Sequence, residues 1–260
     1  MNIQLENKIK EIIKKPFLKK IESYKRESKY SPFKESLVGE KYSAIHSFVH
    51  SVTTSAGMSM FEQIAALIAE EKGGFKAYTQ YELEGSIDNK TENKIFTTFK
   101  NIQSKAKSPD YLDDIEKIKK IVESINKSEI DYDYPDTTVD LFLKKGNKEY
   151  YIDITSPKPN KKEFEALKQK LLRWTALRYS IRKDIEVFPS IAFPFNPYFP
   201  KPYKRFSGSD LFSLDSREVL IQEEFWDWLA GEKIYDELVA LFLETGNELR
   251  EKLEDKINSM

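Results

Sequence analysis

Two aspartates, Asp140 and Asp153, have the type and spacing to do chemistry. Both lie in the run YPDTTVDLFLKKGNKEYYIDITSPKPNKK, residues 134–162. Asp140 opens one strand candidate, Val139–Leu143, and Asp153 lies near the end of another, Glu149–Thr155. The Lys-Lys-Gly-Asn-Lys between them is a hairpin signal, because Gly and Asn tolerate the positive φ of a tight turn. Antiparallel pairing would bring the two carboxylates together at one end of a sheet. An isolated pair of negative charges there is costly, so a hard cation is the expected occupant, with Mg²⁺ and its retained waters first. In a phosphodiesterase such an ion holds a non-bridging phosphate oxygen and neutralises charge on the leaving 3′ oxygen.

The elements that must position this pair follow from periodicity. The first forty residues carry Ile9, Ile12, Ile13, Phe17, Leu18 and Ile21 at helical spacing, with a break expected near Pro16. A helix is expected over Tyr42–Val52. After a Thr-Thr-Ser-Ala-Gly turn another should run from Ser59 to Lys72, with Phe61, Ile64, Ala65, Leu67 and Ile68 inward, ended by Gly73-Gly74. FKAYTQYEL, from Phe75 to Leu83, favours a strand, and the polar stretch at about 88–130 reads as a helical insertion outside the core. The hairpin follows, then a helix over Lys161–Arg182 and a strand over Ile185–Phe193. The proline-dense FPFNPYFPKPYKRF, residues 193–206, must be an extended surface arm. Helix returns from about Glu218 to Ile257.

The expected fold class is therefore α/β: a mixed β-sheet flanked by helices, with additional N- and C-terminal helices. The 260 residues are expected to form one decorated domain, with a helical region over 1–54, a core over 55–205 and a helical end over 206–260. No apolar run has signal-peptide or membrane-spanning character, which points to a cytoplasmic protein. The absence of cysteine excludes disulfides, thiol catalysis and cysteine-bound zinc. Glycine-rich nucleotide loops are absent too. The net charge of −1 conceals segregation: residues 141–205 hold 15 Lys and Arg against 6 Asp and Glu, whereas 206–260 hold 5 against 14. A basic cleft for DNA and solvated helix faces of opposite sign both account for that pattern.

On these residues the chain resembles the PD-(D/E)XK nuclease superfamily, in which an acid opens one strand, Asp/Glu-x-Lys lies on the next, and a helix follows. The resemblance implies an αβββαβ restriction-endonuclease-like core with Asp140 and Asp153 as metal ligands. Pro135-Asp136 is a literal Pro-Asp, but Asp140 is the preferred first acid because it leads directly into Leu-Phe-Leu. The pattern departs at Thr155, where its lysine should stand; Lys158 is the nearest substitute, followed by Lys161 and Lys162. GMSMFEQIA (57–65), KPNKKEF (158–164), FPFNPY (193–198) and EEFWDWLAG (223–231) are further similar to the TdeIII and MjaII type of type II restriction endonucleases. That likeness implies Mg²⁺-dependent cleavage of double-stranded DNA at GGNCC by a homodimer, paired with a DNA methyltransferase of the same specificity. It also makes Glu62 the helical acid that assists the metal.

Gln63 faces either DNA or solvent. The 193–206 arm joins cations to rigid aromatics, so Asn196, Tyr198, Lys201, Lys204 and Arg205 are candidate DNA contacts, with core packing the competing role for its aromatics. His46 and His50 have a zinc-compatible spacing, but HSFVH lacks the glutamate that follows the first histidine of a zinc peptidase. A partly buried or interface face suits them better. Phe225, Trp226, Trp228 and Leu229 read as core or dimer surface. The alternatives to a restriction enzyme are a structure-selective repair or recombination nuclease on the same fold and a DNA-binding protein without catalysis.

Overall fold

The computed structural model describes residues 1–26, 31–124, 136–203, 208–214 and 216–259, apart from the side chains at 53–56 and 58. They divide into two compact units, Met1–Leu67 with Lys233–Met260, and Ile68–Glu232. Among the described residues no helix is long and apolar enough to cross a membrane.

The first unit is helical. It holds α1 (Ile3–Ser23), α2 (Pro32–Val38), most of α3 (Glu40–Glu71) and a C-terminal helix, Tyr235–Asn258. Leu5, Ile9, Ile13 and Ile21 give α1 one buried stripe, and the helix runs through Pro16, where a break was expected. Proline removes one backbone hydrogen bond, but a stripe buried on both sides of it keeps the helix going. The same competition corrects the expected turn in Thr-Thr-Ser-Ala-Gly, since α3 is unbroken there. Phe48, Val52, Met60, Ile64 and Ile68 fall on one four-residue spacing and are all buried. A mid-helix glycine costs only about 1 kcal/mol against such burial.

Part of the acidic charge of the chain's end is neutralised inside this unit. Lys10 reaches Glu244 and Lys14 reaches Glu248, each at 2.5 Å, so the basic first helix lies along the acidic last one.

The second unit carries a five-stranded sheet in the order β1 (Lys76–Glu82), β2 (Thr138–Lys145), β3 (Lys148–Ile154), β4 (Glu186–Phe193) and β5 (Val219–Ile221). The first three strands pair antiparallel; β3–β4 and β4–β5 are parallel, so the sheet is mixed as expected. The hairpin closes with Lys145 opposite Lys148. Gly146 adopts φ +65°, the left-handed conformation that makes glycine the natural residue there.

Between β3 and β4 the chain crosses over through α6 (Lys161–Ile181), whose start is sealed by a capping box. Asn160 Oδ1 accepts from the Lys162 and Glu163 amides, and Glu163 accepts from the Asn160 amide. The fifth strand lies where helix was expected from Glu218. Three apolar residues are too few to show a period, and only pairing with β4 makes them a strand. The helix there is α7 (Glu223–Ala230), and its Phe225, Trp226 and Leu229 are core. Tyr235–Asn258 is α8.

The stretch expected to lie outside the core instead forms part of it. It folds as α4 (Asn89–Gln103) and α5 (Tyr111–Glu123). Ile95, Phe99, Ile102 and Ile118 join Phe164, Leu171, Trp174 and Tyr151 in one buried cluster. Its polar composition belongs to the outer faces of two amphipathic helices.

Glu149, at the start of β3, is fully buried and takes a two-pronged ion pair from Arg178 of α6, at 2.8 and 3.0 Å. Tyr151 donates its hydroxyl to the same carboxylate. Burial works to raise the Glu149 pKa, but the bonds from Arg178 and Tyr151 outweigh it and hold the carboxyl below the ordinary 4.5. A carboxyl depressed by folding stabilises the fold above its unfolded pKa and loses that contribution as pH falls through the folded one. Acid unfolding should therefore steepen below pH 4.5. Glu149→Gln is expected to flatten that limb in urea-unfolding midpoints measured against pH, and an unchanged limb would exclude Glu149 as its source.

Candidate active site

Asp140 is the third residue of β2 and Asp153 the penultimate residue of β3. The β2–β3 register ends with Leu141 paired to Ile152, so Asp140 and Asp153 are the next residues beyond it, at the same end of the hairpin. Asp140 Oδ2 accepts the Ile154 amide at 2.8 Å, which ties the first acid to the strand that carries the second. On the other side, Gln80 of β1 reaches Asp140 Oδ1 at a long 3.4 Å. Gln80 has φ +51°, unusual for a non-glycine residue and absent from regular strands. The pleat is disturbed beside the acid, and Tyr78 and Tyr81 both meet the Phe142 ring.

Asp153 is only 6% exposed. Its Oδ2 is paired at 2.7 Å with the ammonium of Lys170, from the third turn of α6. The same ammonium reaches Asp136 at 3.1 Å and lies over the Trp174 ring, and the Trp174 indole donates to the Asp136 carbonyl. Burial opposes the charge on Lys170, but Asp153 and then Asp136 outweigh it and hold the pKa above the ordinary lysine value. The group is a partly buried cation between two carboxylates.

Lys170 was not among the residues singled out from sequence. Its signal was present but weak: a lysine one turn before Trp174, on the helix that leaves the Asp153 strand. Lys158 is exposed and lies over the Tyr198 ring, making no ion pair with Asp140 or Asp153. Lys161 and Lys162 are exposed at the start of α6.

Glu62 and Gln63 belong to the helical unit, whereas both aspartates belong to the sheet unit. Glu62 is buried on α3; Gln63 is exposed, with its amide directed back to Ser59. In the arm, the Asn196 side chain accepts from the Tyr198 amide and donates to the Lys201 carbonyl, so it shapes the loop. Tyr203 is buried against Phe193 and bonded to the Pro157 carbonyl, while Tyr198 and Lys201 face outward. Pro135, Lys204 and Arg205 lie outside the described residues. His46 and His50 stack, and His46 lies 3.1 Å from Lys34.

Among the described residues no group of three or more acidic or histidine side chains is assembled. A cation here would rest on Asp140 and Asp153, with water in its other positions. Hard oxygen ligands and incomplete protein coordination suit Mg²⁺, which sheds water reluctantly.

A mixed sheet flanked by helices, with a central hairpin that carries two aspartates at the same end, defines a restriction-endonuclease-like protein. The chain belongs to the HinfI type II restriction endonuclease family, whose profile matches residues 1–246. It is similar to the type II restriction enzyme MjaII of Methanocaldococcus jannaschii, with 29% identity over 203 residues. That match covers 74% of this chain but 52% of MjaII, so the chain spans about half of that relative. The type II restriction enzyme HgiEI of Herpetosiphon aurantiacus is 25% identical over 86% of this chain and 80% of its own length. HgiCII of the same organism is 25% identical over 83% and 77%. No solved structure matches.

Proposed function

We propose that the chain is the nuclease of a type II restriction system, hydrolysing both strands of duplex DNA at a short specific site with Mg²⁺. The observation that supports this is the β2–β3 hairpin, at one end of which Asp140 Oδ2 accepts the amide of Ile154, the residue next to Asp153. Family membership makes nuclease chemistry the first reading of such a pair. Asp140 and Asp153 would hold the ion, which when bound supplies positive charge against the scissile phosphate. The chain's own part is to fix the two carboxylates on a rigid hairpin.

Lys158 on its Tyr198 platform is a candidate phosphate contact, with Lys161 and Lys162 beside it in sequence and Lys201 in the arm that carries Tyr198. Tyr198, Asn196, Lys204 and Arg205 of the arm, and Gln63, are the remaining candidate DNA contacts. A homodimer fits a palindromic target, because its two-fold axis matches that of the site. The likeness to the TdeIII and MjaII type puts GGNCC first among targets, with a methyltransferase guarding the same sequence in the cytoplasm.

The test is to incubate the full chain with plasmid DNA and Mg²⁺ and to sequence the ends. Discrete ends at GGNCC support the whole reading. Discrete ends elsewhere retain the enzyme and reject the site. Cutting confined to branched substrates indicates a structure-selective nuclease. Bound but intact DNA indicates a binding protein, the outcome that the threonine at position 155 would favour.

A further inference from the structure

Strand β3 brings no amine to its own acid, since the position two residues after Asp153 is Thr155. Any ammonium at that end of the sheet must come from another element. Glu149, Tyr151 and Asp153 alternate onto one face of β3, and α6 covers that face. Arg178 meets Glu149 at the start of the strand, and Lys170 meets Asp153 at its end. Eight helical residues rise about 12 Å and four strand residues about 13 Å, so the two pairings lock α6 along β3 at matched spacing. The Arg178 pair holds Lys170 at the acid.

We propose that Lys170 is the catalytic ammonium of the site, contacting a non-bridging oxygen of the scissile phosphate, and that Asp136 is the residue that positions it. This rests on the nuclease reading above. Lys170 is anchored between Asp153 and Asp136, with Trp174 beneath it, whereas Lys158 is exposed on Tyr198. When a phosphate enters beside Asp153, the ammonium exchanges one carboxylate partner for the phosphate oxygen and keeps Asp136. Its contribution is electrostatic, made while water forms the new bond to phosphorus and the bond to the departing 3′ oxygen breaks. The attacking water loses its proton to solvent, and the departing oxygen takes one up from solvent.

The experiment uses the full chain, plasmid DNA and Mg²⁺, with single-turnover cleavage and DNA binding measured side by side. K170M is expected to cleave about 100-fold or more slowly while DNA affinity stays within a few-fold. K158M is expected to lose less rate than K170M, and D136N an intermediate amount. Ethylammonium added to K170A should restore part of the rate, a response that a merely structural lysine would not give. K170M cleaving within threefold of the unsubstituted chain would overturn the assignment. So would K158M as the slower variant, or a folded K170A that ethylammonium leaves unchanged. Failure of the unsubstituted chain to cut any DNA would instead reject the nuclease reading, and the assignment with it.

Discussion

Asp153→Asn is expected to lower the cleavage rate about a thousandfold, leaving the fold and DNA binding nearly intact. Asparagine keeps the shape of the side chain and removes the charge a hard cation needs. An ion that contributes several kcal/mol of charge stabilisation in the transition state is worth about three powers of ten in rate. The structural loss is small because Lys170 keeps Asp136, 3.1 Å away, as an anionic partner. Single-turnover cleavage at saturating Mg²⁺, with DNA binding measured in its absence, separates chemistry from affinity. A variant that cuts within tenfold of the unsubstituted chain would remove Asp153 from the site.

Lys168→Met is expected to lower the free energy of unfolding by about 3–5 kcal/mol without touching the chemistry. Lys168 is fully buried on α6 and pairs with Asp114 of α5 and with Glu218, just before β5. Glu218 also accepts the Ser213 amide at 2.8 Å, and Asp114 has a second partner in Lys107. Burial pushes the Glu218 carboxyl up and Lys168 opposes that rise, so removing the ammonium strands a buried anion. The penalty should shrink as pH falls, because a protonated Glu218 needs no counter-ion. Glu218→Gln in the Lys168→Met background should recover part of the loss for the same reason. Urea-unfolding midpoints at neutral and acidic pH measure both effects. A Lys168→Met loss under about 1 kcal/mol would mean that the cluster is not what ties α5 and β5 to α6.

How far the site was legible before folding depended on the range of the interactions concerned. The β2–β3 hairpin could be read because its determinants are local: alternating apolar runs, Gly146-Asn147 in the turn, and an aspartate near each far end. The start of α6 was expected at Lys161, where it is found, and the capping box of Asn160 and Glu163 is the local feature that fixes it. Lys170 was barely legible, its one signal being Trp174 a turn further along the helix. Seventeen residues separate it from Asp153, and nothing in composition distinguishes it from Lys161, Lys162 or Lys168. Those four lysines of one helix are two exposed side chains, one buried structural cation and the amine at the acid, according to which face each occupies.

Pro16 and the Thr-Thr-Ser-Ala-Gly segment failed as punctuation because the burial of a continuous stripe outweighed their local costs. The three-residue β5 and the core role of α4 and α5 were hidden for a related reason: each exists through its partners. Sequence alone determined what neighbours along the chain decide, namely the hairpin, the caps, the amphipathic faces and the two acids they carry. Tertiary structure decided which cation meets Asp153, because helix rise and strand rise bring Lys170 and Arg178 onto one face of β3, a coincidence that exists only once α6 has packed against the sheet.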